Sequence, residues 1–182
     1  MSTRTIVLAA LFAALTAVGA QFAVPNPLLS VPITLQTLFV LITGMVLGPR
    51  TGAVSLVVYL VMGLLNLPVF AGFTGGFAVL AGRSGGYIIG FIPAAFIVGL
   101  IAGRGKKVSA GRSIMATLVG TLVIHLFGVP WFYMVTKVPV PGILVGSLPY
   151  LPGDLFKAVV AAYAGREIRR LAPLKGVPGI EA

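Results

Sequence analysis

The chain has no cysteine, three acidic residues and one histidine. Without cysteine it can form neither a disulfide nor a thiolate metal site. So few carboxylates and imidazoles leave little from which to assemble a nucleophile, its base and an orienting group, so an enzyme is poorly supported. No Gly-x-x-x-x-Gly-Lys-Ser/Thr run is present, so there is no P-loop for ATP. Charge is also scarce. Only 9% of the 182 residues are Asp, Glu, Lys or Arg, whereas soluble domains carry about a quarter. A chain this apolar, 58% hydrophobic, has lipid as its solvent.

What is present is a set of long apolar runs. Six stretches, at 5–24, 34–48, 52–70, 85–103, 113–135 and 147–165, are predicted as transmembrane helices of one domain over 1–182. Most can cross a hydrocarbon core of ~30 Å at ~1.5 Å per residue. The second is short, which predicts a helix sheltered by its neighbours. The first has an alternative reading as a signal peptide cleaved near Val18-Gly19-Ala20, although its length and single Arg4 fit a retained helix better. The cations then orient the chain. Arg4, Arg50, the group Arg104, Lys106, Lys107 and Arg112, and the tail Arg166, Arg169, Arg170 and Lys175 fall on one side. Only Arg83 and Lys137 fall between spans on the other. By the positive-inside rule both termini are cytoplasmic, which an even number of spans requires. The net charge of +10 is therefore read as membrane orientation and not as nucleic-acid binding.

The outer loops are long and apolar. They cover 23–32, with Pro25, Pro27 and Pro32, then 70–84, then 138–146. Such loops either fold over a bound molecule or lie in the membrane interface, where Trp131, Tyr133 and Tyr150 would also sit.

One acid breaks the apolar pattern. Asp154 lies in 148–164 with Lys157, while Glu167 and Glu181 belong to the basic tail. A charge in lipid is costly and is kept where it faces a cavity, a partner or a substrate. Three residues apart, Asp154 and Lys157 share a helix face. The pair is either a simple ion pair at a helix start or a ligand site, with Asp154 accepting from ligand N–H groups. Gln36 is a polar amide that can face the same pocket or bond a neighbouring helix. His125 is either satisfied between helices or a proton carrier. In the glycine-rich run 72–90, glycines such as Gly75 allow close backbone approach to a ligand. There Phe73, Phe77 and Tyr87 can supply flat walls, with Thr74, Ser84 and the Tyr87 hydroxyl as polar points. In the first helix Ala9, Ala10, Ala13 and Ala14 form overlapping Ala-x-x-x-Ala pairs, which permit close packing of another helix. That helix can belong to this bundle or to another subunit.

Four motifs in this order carry a resemblance: Pro32-Ile-Thr-Leu-Gln36, Leu47-Gly-Pro-Arg50, Gly85-Gly86-Tyr87 and Pro152-x-Asp154-x-x-Lys157. Together they resemble the BioY family, the biotin-specific S components (substrate-binding membrane subunits) of energy-coupling factor transporters, over nearly the whole chain. The resemblance implies an all-α S-component fold of six transmembrane helices in a bacterial or archaeal cytoplasmic membrane. It implies no cofactor and no catalysis, with biotin as transported ligand. The pocket would include Asp154, Lys157, Tyr87, Thr74, Phe73, Gly75 and Gln36 on the outer side. It also implies a transmembrane coupling subunit that meets the helix-one alanines, either Ala9/Ala13 or Ala10/Ala14, and two ATPase subunits. In one place the chain departs from the family. Arg83 stands where the family has proline, and either meets the biotin carboxylate or sits in water. The alternatives are a self-contained proton-coupled transporter using His125 and Asp154, and an S component for another vitamin.

Overall fold

The computed structural model describes residues 2–171 apart from Pro27, Arg104, Lys106 and Lys107, so Lys175 and Glu181 also lie outside the described residues. The elements are α1 (Thr3–Gln21), β1 (Ala23–Val24), β2 (Ile33–Thr34), α2 (Gln36–Leu64), α3 (Phe77–Ala81), α4 (Gly85–Ala102), α5 (Ala110–Thr136), α6 (Val140–Ser147) and α7 (Tyr150–Leu171). Ser2 and Ser109 start α1 and α5, each accepting a backbone N–H three residues on, as an N-cap does. The two short strands pair antiparallel and close the first of the long apolar loops.

The two predicted spans 34–48 and 52–70 form one element that folds back on itself. Gly48 has φ 75°, a left-handed conformation open to glycine, and Pro49 follows. Gln36 Nε2 donates to Tyr59 Oη at 2.5 Å. Along an unbroken helix those residues would be ~35 Å apart. The arms 36–47 and 49–64 therefore run side by side. A Cβ on Gly52 would lie 3.2 Å from Gly44 Cα, so small residues set how closely the arms approach. The first arm is short because it is enclosed. Val40, Leu41, Ile42, Met45, Val46 and Leu47 are all buried, among α1, α4, α5 and α7.

The outside of the bundle is apolar as well. Ile6, Val7, Leu122, Leu126, Leu155 and Phe156 are each more than half exposed, a surface suited to lipid. Helices α1, α2, α4 and α5 are long and apolar enough to cross a membrane, and α6 with α7, bent by 59°, can make a fifth crossing element. The chain is an all-helical membrane protein apart from its small hairpin.

The predicted sixth stretch and the loop before it need correction. Residues 140–147 are helical, with Pro141 in the first turn, where its missing N–H is no loss. The following helix runs to Leu171 and takes in Arg166, Arg169 and Arg170. Cations in a last turn suit the helix dipole, so the basic tail extends the helix and does not end it.

The loops gather at two ends. At one, Arg169 donates to Gly105 O at 2.8 Å, to Met45 O at 3.2 Å and to Gly103 O. Met45 O is a late carbonyl of the first arm that Pro49, having no N–H, cannot serve. Arg169 thus joins the turn of α2, the α4–α5 connection and α7. At the other end, Gln21 Nε2 donates to Phe70 O, Asn26 Nδ2 to Gly146 O and Tyr150 Oη to Val31 O.

Candidate functional site

Beneath this second set of loops lies an open cavity. Its walls are mainly apolar, with Phe70, Ile88, Phe91 and Ile124 among them. Its polar groups converge from four helices and the β2 strand. Asp154 and Lys157, one turn apart on α7, pair at 2.6 Å and are 5% and 6% exposed. Lys157 Nζ also donates to Thr34 O at 3.1 Å, which ties α7 to the hairpin. From α5, His125 brings Nε2 to 3.4 Å from Asp154 Oδ2. The buried pair thus has a third member, a contact the sequence could not show.

Gln36 fills both of the roles left open for it. It lines the cavity, accepts from Thr34 Oγ1 at 2.9 Å and donates to Tyr59, which passes a bond on to Val69 O. Thr74, Ser84 and Tyr87 also line the cavity. Among the described residues, Thr37 Oγ1 is buried without a partner, and Tyr87 Oη, facing Ser147, makes no hydrogen bond of normal geometry. Each such group costs about 1–3 kcal/mol while unsatisfied, a cost that a polar ligand removes.

Three residues put forward for the pocket do not line it. Phe73 has φ 56° and is 71% exposed, its N–H held by Gln21 Oε1 at 2.9 Å. Gly75 packs against the backbone at Leu67. Arg83 is exposed on the turn before α4. Phe77 is likewise 71% exposed, and Phe70 and Phe91 supply the aromatic walls instead. Tyr150, expected at the membrane interface, is buried and lines the cavity. Trp131, expected there too, donates to Gly82 O at 3.0 Å. The packing of α1 also separates its two alanine pairs. Ala9 and Ala13 are buried within the bundle, where Ser55 Oγ donates to Ala9 O at 2.7 Å. Ala10 and Ala14 face outward.

Residues 1–174 match the model of the BioY family. The chain belongs to the BioY family. It is 42% identical over 171 residues to the probable biotin transporter BioY of Pyrococcus horikoshii, covering 93% of this chain and 98% of that protein. It is 38% identical over 168 residues to the biotin transporter BioY of Thermotoga maritima, covering 92% and 97%. A solved structure, the S-component for biotin from an ECF-type ABC transporter, superposes with a TM-score of 0.83 at 27% identity, covering 94% of this chain and 96% of that one. The family match and the superposition thus both cover nearly the whole chain.

Proposed function

We propose that this BioY-family chain is the biotin-binding subunit of a vitamin uptake transporter. It takes biotin at the outer face of a bacterial or archaeal cytoplasmic membrane. It then delivers biotin together with a transmembrane coupling subunit and two ATPase subunits. The observation that carries this reading is the buried pair Asp154 and Lys157, with His125 beside it, in a cavity whose walls are mainly apolar. Biotin matches it in kind. Its ring and chain suit the Phe70 and Phe91 walls, and its ureido N–H groups suit a carboxylate. Asp154 still has acceptor capacity beyond Lys157 and His125, since an ionised carboxylate offers about four lone-pair sites. The chain performs binding and no chemistry of its own. Purified chain in liposomes with coupling subunit, ATPases and ATP is expected to import labelled biotin. Import by the chain alone under a proton gradient would instead support the proton-coupled alternative, which uses the contact between His125 and Asp154.

This reading includes six crossings: α1, the two arms of α2, α4, α5, and α6 with α7. Both termini are then cytoplasmic. The supports are the reversal at Gly48 and the gathering of Arg50, Arg112 and Arg169 around one end of the bundle. Tags on either terminus should be protected in intact cells, and labelling of either from outside would refute this topology.

The outward pair Ala10 and Ala14 is the surface we assign to the coupling subunit. Ala10→Trp and Ala14→Trp should reduce co-purification with that subunit and leave biotin affinity nearly unchanged. Ala9→Trp and Ala13→Trp should disturb the bundle itself, as overpacking a core costs about 1–3 kcal/mol or more. An equal loss of assembly and biotin binding in the Ala10 and Ala14 variants would mean that their face serves internal packing.

A further inference from the structure

Tyr59, on the second arm of α2, has no exposed surface and does not line the cavity. Its ring meets Phe70 edge-on at 5.6 Å between centroids. Its hydroxyl donates to Val69 O at 3.0 Å and accepts from Gln36 Nε2 at 2.5 Å. At the other end of the amide, Thr34 Oγ1 donates to Gln36 Oε1 at 2.9 Å and accepts from the Gln36 backbone N–H at 3.2 Å.

These bonds have a direction. A hydroxyl has a single hydrogen to give. That of Tyr59 goes to Val69 O, and that of Thr34 goes to Gln36 Oε1. Turning the amide end for end would set Oε1 against Tyr59 and Nε2 against Thr34. Tyr59 would then have to withdraw its hydrogen from Val69 O, and the Thr34 hydroxyl would lose its acceptor. Gln36 is thus held in one of two orientations that differ in chemistry and hardly in shape. Thr34 also carries the carbonyl that accepts from Lys157 Nζ at 3.1 Å, so the amide is fixed relative to the Asp154–Lys157 pair as well.

One Nε2 hydrogen and one Oε1 lone pair remain, on a side chain that lines the cavity. An ammonium such as that of Lys157 turns its donors on a flexible stem, whereas an amide clamped at both ends offers an N–H in a set direction. We propose that Tyr59 is a positioning residue for ligand recognition: from outside the cavity it fixes the Gln36 amide so that its remaining N–H meets an acceptor of the ligand. The inference rests on the biotin reading, since biotin supplies such acceptors in its ureido oxygen and its carboxylate.

The test is calorimetry with biotin, alongside thermal melting, on the purified full chain and on Tyr59→Phe, Gln36→Met and the double variant. Phenylalanine keeps the ring against Phe70 and removes only the hydroxyl. Tyr59→Phe should weaken biotin binding about fivefold, the size of one neutral hydrogen bond, and Gln36→Met should weaken it at least as much. The double variant should bind no more weakly than Gln36→Met alone, because Tyr59 acts through the amide. The bond to Val69 O is lost in either background, so Tm should fall with Tyr59→Phe in both, while affinity falls in only one. Losses of affinity that multiply in the double variant overturn the proposal, as does unchanged affinity in either single variant. If Tyr59→Phe does not fold, Thr34→Val releases the other end of the amide and goes through the same cycle with the same expected outcomes. Thr34→Ser, which keeps the hydroxyl, should then bind like the parent. If the unaltered chain binds no biotin, the biotin reading fails instead.

Discussion

Asp154→Asn is expected to lower biotin affinity by ~10–150-fold, the range that follows from a charged hydrogen bond of ~1.5–3 kcal/mol. The substitution keeps the side-chain shape and removes the charge. Asp154 is 5% exposed and held between Lys157 and His125, so little bulk water is available to replace it. Two effects add. The ligand N–H loses an ionised acceptor, and the buried ammonium of Lys157 loses its counter-charge. Lys157→Met should weaken binding for the converse reason, since Asp154 loses its ammonium partner and Thr34 O loses the donor from Lys157. Calorimetry on folded, purified variants measures both. If each single variant binds as tightly as the parent, the pair is structural and the ligand lies elsewhere.

Arg169→Met should be the most destabilising substitution at the opposite end of the bundle. Arg169 has no exposed surface and holds three backbone carbonyls from two connections. Burial of a charge is tolerated only with such compensation. Methionine fills part of the volume but leaves all three carbonyls without their donor. The loss should be about 3–5 kcal/mol, on the scale of breaking a buried polar network, and should lower Tm by about 10 °C. Arg169→Lys should recover only part of this, because one ammonium cannot span the carbonyls that a planar guanidinium reaches. An unchanged melting temperature for Arg169→Met would show that the clamp contributes nothing to the fold.

The sequence revealed most where it violated its own surroundings. Asp154 and Lys157 stood out because charge is rare in an apolar helix, and Gln36 stood out for the same reason. The reversal at Gly48-Pro49 was visible because glycine and proline mark turns whatever the tertiary context. The loop over 70–84 was not readable in the same way. Phe73 is held away from the cavity with its N–H donating to Gln21 Oε1, 52 residues away in sequence. His125 and Tyr150 were noticed, one as the lone histidine and one as an interface aromatic, but the sequence did not show that they meet Asp154 and Val31 across the bundle. Helix α6 was hidden because prolines, which open a helix as readily as they occupy a loop, sat at its start. The alanine periodicity gave two faces four residues apart in spacing, and only the packing of α1 on α2 separated the buried Ala9 and Ala13 from the outward Ala10 and Ala14.

The most direct test of the account is equilibrium binding of labelled biotin to the purified, unaltered chain without partner subunits. The cavity is complete within this one chain, so saturable binding near one biotin per chain is expected. Excess unlabelled biotin should displace the label, and other vitamins should not. No saturable binding by folded protein, or equal displacement by an unrelated vitamin, would contradict the account.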